Sequence, residues 1–330
     1  MQEKWQIGSG FNNKSRKSPA RLYRNMIIVR SPLRISIAGG GTDLRSWYRE
    51  HGSMFISAAI NKYVYITLQK RNYSKKINLR YSEIEEVDSV DEIKHEIIRE
   101  TFRFCGVKDS IALTSHADIP AGTGLGSSGA FGVAVLHALH PKMSQLQLAY
   151  KATHVQMNLL NYPIGVQDQY ATAIGGVNEF TVHKDGMVFH ELMWVQGLER
   201  KLVMFYTGIK RDTNQILAQG GTEGLEEIQT LAYRAKDALE GQNFDDYGYL
   251  MHEHWIQKKK RGGISNQQID VLYELGLENG ALGGKLIGAG GGGFLLFYTN
   301  DRERLIKAMP LQYEPFKFDY EGSKIIYRDL

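Results

Sequence analysis

The sequence predicts an α+β protein of two domains. Its 330 residues exceed what one hydrophobic core usually supports, since domains average about 100 to 150 residues. Strand-like alternation dominates the first half, whereas apolar residues in the second half recur at helical spacing. We therefore predict a first domain over residues 26–198 and a second over residues 199–330. Residues 1–25, polar and basic, are predicted to be a flexible extension or a cloning remnant.

Composition narrows the classes of function. Hydrophobic residues make up 42% and charged residues 23% of the chain, as in globular proteins. No apolar run reaches the roughly 18 residues that a membrane span needs, so no membrane partner is expected. Residues 1–25 carry a net charge of +5 and the whole chain carries +4, so the remainder carries −1, and this nearly neutral remainder argues against nucleic-acid binding. A single cysteine, Cys105, and the lack of a secretory signal favour a cytoplasmic protein.

The first predicted strand, residues 27–38, ends at three glycines and Asp43. Arg34 and Ser36 lie on its polar face, opposite the apolar positions. A short helix over residues 44–51 is predicted to follow. Arg34 is therefore either a solvent-facing residue of an edge strand or a functional cation that points toward a glycine turn.

Hydrophobic periodicity predicts most of the remaining elements. The predicted strands cover residues 54–58, 62–70, 76–81, 111–117, 177–182, 187–192 and 201–206, with two more on either side of the glycines near 290. The predicted helices lie near residues 91–104, 129–139, 144–160, 169–174, 225–239 and 247–260. The third of them is predicted to begin with a capping box of Ser144 and Gln147, and its predicted apolar face comprises Leu146, Ala149, Tyr150, Thr153, Met157 and Leu160.

A glycine-rich loop over residues 118–128 joins a predicted strand to a helix of small residues. Glycines at alternating positions leave successive backbone N–H groups free to face one anion, and the helix start adds a positive dipole end. The same sequence also fits an ordinary turn that leads into a buried helix. The familiar nucleotide loop that ends in Gly-Lys-Ser/Thr is absent, because the stretch contains no lysine.

Two further polar features each have two interpretations. Asp168, which lies between two glutamines, either caps the helix that follows or acts in a site. The cations from Lys258 to Arg261 end a predicted helix, where they either complement its dipole in solvent or bind a substrate phosphate. Lys210 and Arg211 are alternative phosphate-binding candidates.

A second glycine run, Gly288 to Gly293, formally satisfies the dinucleotide-binding pattern G-x-G-x-x-G. A strand-like Phe-Leu-Leu-Phe follows it, whereas that pattern requires a helix, so a dinucleotide site is excluded. The ten histidines show no zinc-like spacing.

Taken together, residues 31–43, 120–128 and 287–294 resemble the three motifs of the GHMP kinases, which include galactokinase, homoserine kinase, mevalonate kinase and phosphomevalonate kinase. The order and spacing match across residues 26–330. Within the family the sequence looks most like the bacterial heptose 7-phosphate kinases, on the evidence of residues 38–43, 167–170, 206–208 and 255–260.

The resemblance implies an N-terminal domain of the ribosomal protein S5 domain 2 type and a ferredoxin-like C-terminal domain, with ATP and Mg²⁺ as cofactors. Asp168 would match the acid that contacts the attacking hydroxyl, and Arg34 the cation beside it. The implied ATP-binding residues are Pro120, Ala121, Gly122, Thr123, Gly124, Leu125, Gly126, Ser127 and Ser128.

Substrate-binding and metal-binding residues are implied in the same way. Ser128 would match the serine that binds magnesium. Twelve residues before Asp168, many sugar-kinase relatives have a Glu that also binds magnesium, whereas this chain has Gln156, whose amide oxygen can bind Mg²⁺ but adds no charge. The substrate-binding residues would be Gly40, Gly41, Thr42, Asp43, Gln167, Tyr206, Arg211, Gly291 and Gly292.

The expected function is that of an ATP- and Mg²⁺-dependent kinase of the anomeric hydroxyl of a heptose 7-phosphate. Its product, heptose 1,7-bisphosphate, would feed nucleotide-activated heptose and surface polysaccharide synthesis. The expected partners are ATP and a small sugar phosphate, and a homodimer is an open alternative to a monomer. Three other functions stay open: a kinase of a neutral sugar, a non-catalytic sugar or ATP sensor, and an ATP-dependent decarboxylase.

Overall fold

The computed structural model describes residues 26–209 and 222–329. Its strands, numbered along the chain, are β1 (Met26–Ala38), β2 (Ser53–Lys70), β3 (Ile77–Arg80), β4 (Ile84–Val87), β5 (Ile111–Ala117), β6 (Val177–Val182), β7 (Val188–Leu192), β8 (Leu202–Tyr206), β9 (Ala281–Leu286), β10 (Phe294–Thr299), β11 (Gln312–Tyr313) and β12 (Lys324–Arg328). Its helices are α1 (Arg45–His51), α2 (Glu96–Cys105), α3 (Ser127–Leu139), α4 (Gln145–Thr153), α5 (Gln167–Ile174), α6 (Leu225–Glu240), α7 (Phe244–Lys260), α8 (Gln267–Glu278) and α9 (Arg302–Ala308).

The larger of the two sheets has the strand order β12-β1-β2-β5-β3-β4. Strand β2 is its longest strand and pairs with β1 along one edge. Along the other edge, residues 53–58 of β2 pair with β6 and residues 64–70 pair with β5. Strand β7 then pairs with β6. This arrangement brings the end of β1 and the glycines after it next to the start of β2.

Helix α3 packs across β1 and β2 and is buried on every side from Gly129 to Leu139. A helix that is apolar all round belongs in a core rather than on a surface. Apart from Phe131 and His137, its residues are small or aliphatic, which lets α4 and α5 pack closely against it. The N-terminus of α3 therefore follows directly from the glycine-rich loop at a fixed place over the larger sheet.

The smaller sheet has the strand order β11-β8-β10-β9. On one side it packs against large aromatic residues, among them Trp255 of α7 and Tyr273 of α8. On the other side, Tyr247 of α7 and Leu231 of α6 belong to the same buried cluster as the apolar residues of β1. The apolar core is thus continuous between the two sheets, and the second half of the chain packs on the end of β1.

Three predicted elements differ in the structure. Residues 54–58 and 62–70 belong to one strand, β2. The predicted helix 91–104 begins only at Glu96, after a 3₁₀ turn at Val90–Glu92. The predicted helix 144–160 changes to a π-helical turn at His154–Leu159. Because that turn shifts the periodicity, Leu148, Ala149 and Ala152 are buried, whereas the predicted core residues Leu146 and Tyr150 are 42% and 59% exposed.

The end of the chain returns to the larger sheet, because β12 pairs with β1. Just before β12, Asp319 donates its backbone N–H to the carbonyl of Ala59 in β2. Residues 199–330 are predicted to form the second domain, but their last strand, β12, is an edge strand of the larger sheet. The split after residue 198 stays a prediction, and residues 1–25 lie outside the described part.

Candidate active site

Arg34 of β1 and Asp168 of α5 form an ion pair at the centre of the site. The Nε atom of Arg34 lies 2.7 Å from Oδ1 of Asp168, and one terminal nitrogen lies 2.5 Å from the same oxygen. The Arg34 side chain is 6% exposed, whereas that of Asp168 is 33% exposed. The pair therefore consists of a fixed, buried cation and a carboxylate that solvent or a ligand can reach.

Arg34 also holds the glycine-rich loop. Its Nη1 donates to the carbonyl of Gly124 at 2.6 Å, and its backbone N–H donates to the carbonyl of Leu125 at 2.9 Å. Gly122, Gly124 and Gly126 have φ angles of 78°, 88° and 77°, a region that L-residues with side chains rarely adopt. One arginine thus fixes both the loop and the acid.

Two glycines make room for this ion pair. A Cβ atom at Gly126 would lie 3.0 Å from Cγ of Arg34 and 3.3 Å from Cγ of Asp168. A Cβ atom at Gly129, the third residue of α3, would lie 2.6 Å from Cβ of Asp168. The first turn of α3 is therefore pressed against the acid, and any larger residue at these positions would displace it.

The start of α3 fits a bound phosphate group. The helix begins at Ser127, and none of the described side chains caps its first turn, so its first N–H groups are available to an anion. Ser127 is partly exposed and Ser128 is exposed, which leaves their hydroxyls accessible. Leu125 is buried and anchors the loop, whereas Pro120 and Ala121 are exposed.

The glycine turn after β1 is built around Asp43. Its carboxylate accepts hydrogen bonds from the backbone N–H groups of Gly41 at 3.0 Å and Gln167 at 3.1 Å. Burial raises the pKa of Asp43, and these two hydrogen bonds oppose that rise. A Cβ atom at Gly165 would lie 1.8 Å from an Asp43 oxygen, so a glycine is needed there. Asp43 thus joins the turn to the start of α5, one residue before Asp168.

Three more predicted residues lie in the same place. The amide of Gln167 donates to the hydroxyl of Ser36 at 3.2 Å, and a Cβ atom at Gly40 would lie 2.6 Å from that hydroxyl. Thr42 is buried, and its hydroxyl lies 2.8 Å from the carbonyl of Gly39. Ser36 was not predicted as a site residue. Its position two residues after Arg34 on the polar face of β1 is the sequence signal that could have identified it.

The four cationic side chains from Lys258 to Arg261 have different surroundings. Lys258 is buried, and its Nζ donates to the carbonyls of Leu286 at 2.9 Å and Gly288 at 2.5 Å. Lys259 pairs with Asp270 at 3.1 Å, and Lys260 is exposed. These three lysines therefore stabilise the fold or face solvent.

Arg261, by contrast, reaches the glycine turn. A Cβ atom at Gly41 would lie 2.9 Å from a terminal nitrogen of Arg261. Burial lowers the pKa of Arg261, and the nearby charge of Asp43 raises it. The site therefore has a second cation on the side of the turn, in addition to Arg34. Lys210 and Arg211, the other predicted phosphate-binding cations, lie outside the described residues.

The second glycine run packs against the glycine-rich loop. A Cβ atom at Gly293 would lie 2.1 Å from the carbonyl oxygen of Thr123, and one at Gly292 would lie 2.4 Å from the carbonyl oxygen of Ile209. Gly291 donates its N–H to the carbonyl of Ile264 at 2.8 Å. The predicted substrate-binding residues Gly291 and Gly292 are thus held in a segment that supports the loop from the second half of the chain.

Two other predicted residues have defined surroundings. Tyr206 ends β8, and its ring packs against that of Phe294 with 5.1 Å between the centroids. Gln156 is fully buried, its Nε2 donates to the carbonyl of Ser128 at 3.1 Å, and its amide lies 2.9 Å from the amide of Gln169. In this arrangement the amide of Gln156 supports the first turn of α3. The metal-binding role of Gln156 stays a prediction.

Comparison with known proteins identifies the family. A model of the GHMP kinase N-terminal domain matches residues 92–176, and a model of the GHMP kinase C-terminal domain matches residues 235–314. The chain belongs to the GHMP kinase family. It therefore has the two-domain fold of these kinases, and ATP is its phosphate donor. This agrees with the fold class and the family that the three glycine motifs predicted.

Several relatives are similar over most of the chain. A D-glycero-alpha-D-manno-heptose 7-phosphate kinase of Campylobacter jejuni is 29% identical over 90% of this chain and 98% of its own length. A galactokinase of Thermococcus kodakarensis is 25% identical over 80% of this chain and 87% of its own. The crystal structure of a D-glycero-D-manno-heptose 1-phosphate kinase from Bacteroides thetaiotaomicron matches with a TM-score of 0.75 at 24% identity, covering 92% of this chain and all of that one.

The geometry of the glycine-rich loop fits an ATP phosphate chain. Its three left-handed glycines carry no side chains over the backbone, and the N-cap residue of α3, Gly126, makes no side-chain hydrogen bond to the first turn, so backbone N–H groups there can face an anion. Among residues 26–209 and 222–329, no group of three or more His, Cys, Asp or Glu side chains is arranged to hold a metal ion. Within the same part of the chain, every helix is too short or too polar to cross a bilayer.

Proposed function

We propose that this kinase transfers the γ-phosphoryl group of ATP to the anomeric hydroxyl of a heptose 7-phosphate. The observation that carries the proposal is the position of the Arg34–Asp168 pair, between the glycine-rich loop and the turn that contains Asp43 and Arg261. An acceptor hydroxyl placed beside Asp168 would lie between a surface suited to ATP and a surface suited to a polar, anionic substrate. The full-length similarity to a heptose 7-phosphate kinase supports the same substrate.

In the proposed reaction, the anomeric oxygen forms a bond to the γ-phosphorus while the bond from that phosphorus to the bridging oxygen of ADP breaks. The hydroxyl proton passes to Asp168, either directly or on its way to solvent. Phosphoryl transfer depends mainly on positioning and on positive charge near the transferred group. Arg34 supplies both, because it fixes Asp168 and places its own charge beside the acid and the loop.

The sugar would bind at the turn after β1. Asp43 and Gln167 are held there by backbone and side-chain hydrogen bonds, and their remaining acceptor and donor capacity suits sugar hydroxyls. Arg261 would bind the substrate phosphate, because a guanidinium matches a phosphate with two parallel hydrogen bonds. Its proximity to Gly41 supports this role.

Magnesium would be held by the phosphates of ATP and by Ser128, whose exposed hydroxyl lies at the start of α3. When bound, the ion would neutralise charge on the phosphates and so favour attack. Gln156 and Arg211 stay predictions as metal and substrate ligands, and so does a homodimer, which sedimentation of the purified protein would test.

The test of the reaction is ADP release with Mg²⁺, ATP and a panel of acceptors. We expect turnover with heptose 7-phosphate, and we expect Asp168→Asn to lower kcat about 100- to 10,000-fold because it removes the proton acceptor but keeps the shape. Asp185→Asn is the matched control, since Asp185 is exposed in the turn between β6 and β7 and its carboxylate accepts a hydrogen bond from the backbone N–H of Met187 at 2.9 Å. Undiminished turnover by Asp168→Asn would overturn the assignment of the acid.

The acceptor panel also decides the substrate. It includes heptose 7-phosphate, heptose 1-phosphate and galactose, because the named relatives differ in these acceptors. We expect Arg261→Met to raise KM for heptose 7-phosphate about 10- to 100-fold, with Lys260→Met as the control, because a hydrogen bond to a charged group is lost. An equal rise in KM for a sugar without phosphate would mean that Arg261 supports the turn instead.

A kinase of a neutral sugar is the second candidate, favoured by the similarity to galactokinases. Brisk turnover of galactose beside inactive heptose 7-phosphate would establish it. Binding of sugar and ATP without ADP release would indicate a sensor, and release of CO₂ from a carboxylate substrate would indicate a decarboxylase.

A further inference from the structure

A buried lysine connects the smaller sheet to the end of β1. Lys285 lies on β9 and is 1% exposed. Its Nζ donates to the backbone carbonyl of Ile37 at 2.8 Å and lies 3.3 Å from Nδ1 of His254 on α7. Burial, together with the charge of Arg34, lowers the pKa of Lys285 to about 7. An amino group is unfavourable in such a place unless acceptors hold it, so this contact is specific.

The carbonyl that Lys285 holds lies at an irregularity of the larger sheet. The register between β1 and β2 shifts between Ser36, which pairs with Ser57, and Ala38, which pairs with Ile56, so Ile37 is left out of the pairing between these two strands. The hydroxyl of Tyr247, also on α7, donates to the same carbonyl at 3.2 Å. Two donors from the second half of the chain therefore fix the backbone at this bulge, and bulges commonly re-aim a strand beside an active site.

The position of Lys285 is itself fixed. The next residue, Leu286, accepts a hydrogen bond through its carbonyl from the buried Nζ of Lys258. Helix α7 thus holds the end of β9 through Lys258, and β9 reaches β1 through Lys285. All groups in this connection are buried. It is therefore more rigid than an ion pair on the surface would be.

Ile37 lies between the two parts of the site that β1 supplies. Arg34 precedes it by three residues on the same strand, and the turn with Asp43 begins two residues after it. We propose that Lys285 is a positioning residue for phosphoryl transfer: by holding the carbonyl of Ile37, it sets the distance between Arg34, with its bound acid, and the substrate-binding turn. This inference rests on the proposed kinase reaction.

The first experiment compares Lys285→Met with Lys62→Met. Lys62 pairs with Glu314 and so also joins the larger sheet to the second half of the chain, but it lies on β2 away from Ile37. We expect Lys285→Met to lower kcat about 10- to 100-fold with KM for ATP nearly unchanged, because small misplacements of reacting groups reduce the rate by such factors. Lys62→Met should lower the Tm but leave kcat nearly unchanged. Equal kcat values for the two variants would overturn the proposal.

A second variant covers the case that Lys285→Met does not fold. Tyr247→Phe removes the other donor to the Ile37 carbonyl and keeps the buried ring. We expect its kcat to fall several-fold, again with little change in KM for ATP. If Tyr247→Phe has the kcat of the unaltered protein, the Ile37 carbonyl does not position the site.

A readout independent of turnover separates this inference from the proposed function. The side-chain Nε–H of Arg34 donates to Asp168, so its NMR resonance reports the position of the ion pair. We expect that resonance to shift in Lys285→Met and to stay in place in Lys62→Met. If the unaltered protein shows no phosphoryl transfer, the proposed function fails. If the resonance stays in place in both variants, the role of Lys285 fails.

Discussion

Glycines serve different purposes in the two glycine-rich segments of this kinase. In the loop over residues 118–128, a side chain at Gly126 would collide with the side chains of Arg34 and Asp168. In the run from Gly288 to Gly293, a side chain at Gly293 would instead collide with the backbone of the loop itself. The first segment leaves space for the reacting groups, and the second leaves space for close packing between the halves of the chain.

The two segments meet at one contact, the approach of Gly293 to the carbonyl of Thr123. The glycine run is in turn fixed by Thr207, whose hydroxyl donates to the carbonyl of Gly293 at 2.8 Å, and by the buried Lys258. The run therefore supports the loop from behind. If the comparison is right, substitutions in the run should act mainly on stability and those in the loop mainly on turnover.

The largest effect is expected for Gly293→Ala. Its Cβ would lie 2.1 Å from a backbone oxygen, and its φ of 97° strains any residue with a side chain, so the loop and the run must separate. We expect the free energy of unfolding in urea to fall by about 3 to 5 kcal/mol, as for severe overpacking with backbone strain. The control is Gly186→Ala, since Gly186 has a φ of 91° but its added Cβ would lie 3.8 Å from the nearest atoms, those of Arg49 and Tyr48, and this variant should lose about 1 to 2 kcal/mol. Equal losses would show that the contact with Thr123 is loose.

A smaller effect, and one on turnover rather than stability, is expected for Gly126→Ala. Its Cβ would press on Arg34 and Asp168 at 3.0 to 3.3 Å, so the side chains rather than the backbone must give way. We expect kcat to fall about 10- to 100-fold through displacement of the ion pair. The loss of unfolding free energy should match that of Gly186→Ala, since both have a positive φ. A loss as large as that of Gly293→Ala would remove the distinction between the segments.

Much of the fold followed from local patterns in the sequence. The strand before the loop, the helix after it and the capping box of Ser144 and Gln147 are where alternation, glycines and capping rules predicted them. The buried face of α4 was wrong, because a π-helical turn depends on packing rather than on local propensity. The return of β12 to the first sheet was missed for a similar reason, since pairing between distant strands leaves no local signal.

Local sequence patterns had the same limit for the candidate site as for the fold. The three glycine motifs were enough to predict the family, and the structure brings Arg34, Asp168, Asp43 and the loop together. Periodicity could not separate the role of Lys258 from that of Arg261, because two cations three residues apart at a helix end differ in their partners only through tertiary packing. The bulge at Ile37 was likewise invisible in an alternating strand.

A third effect is expected at Gln156, whose side chain contacts the first turn of α3 directly after the glycine-rich loop. Its Nε2 donates to the carbonyl of Ser128, and a Cβ atom at Gly132 would lie 2.4 Å from that nitrogen, so the amide has no room to turn. Gln156→Glu replaces the donor with a buried acceptor that faces a carbonyl. We expect the free energy of unfolding without Mg²⁺ to fall by about 1 to 3 kcal/mol.

The control for this substitution is Gln147→Glu, because Gln147 is exposed and a Glu serves equally well in its capping box. The measurement is urea unfolding of both variants with and without Mg²⁺ and ADP. If Gln156→Glu keeps its stability and gains affinity for Mg²⁺, the amide occupies a metal-binding position, as in the sugar kinases that have a Glu there. A stability loss that Mg²⁺ and ADP do not reverse would mean that Gln156 acts on the site only through its hydrogen bond to the carbonyl of Ser128 in the first turn of α3.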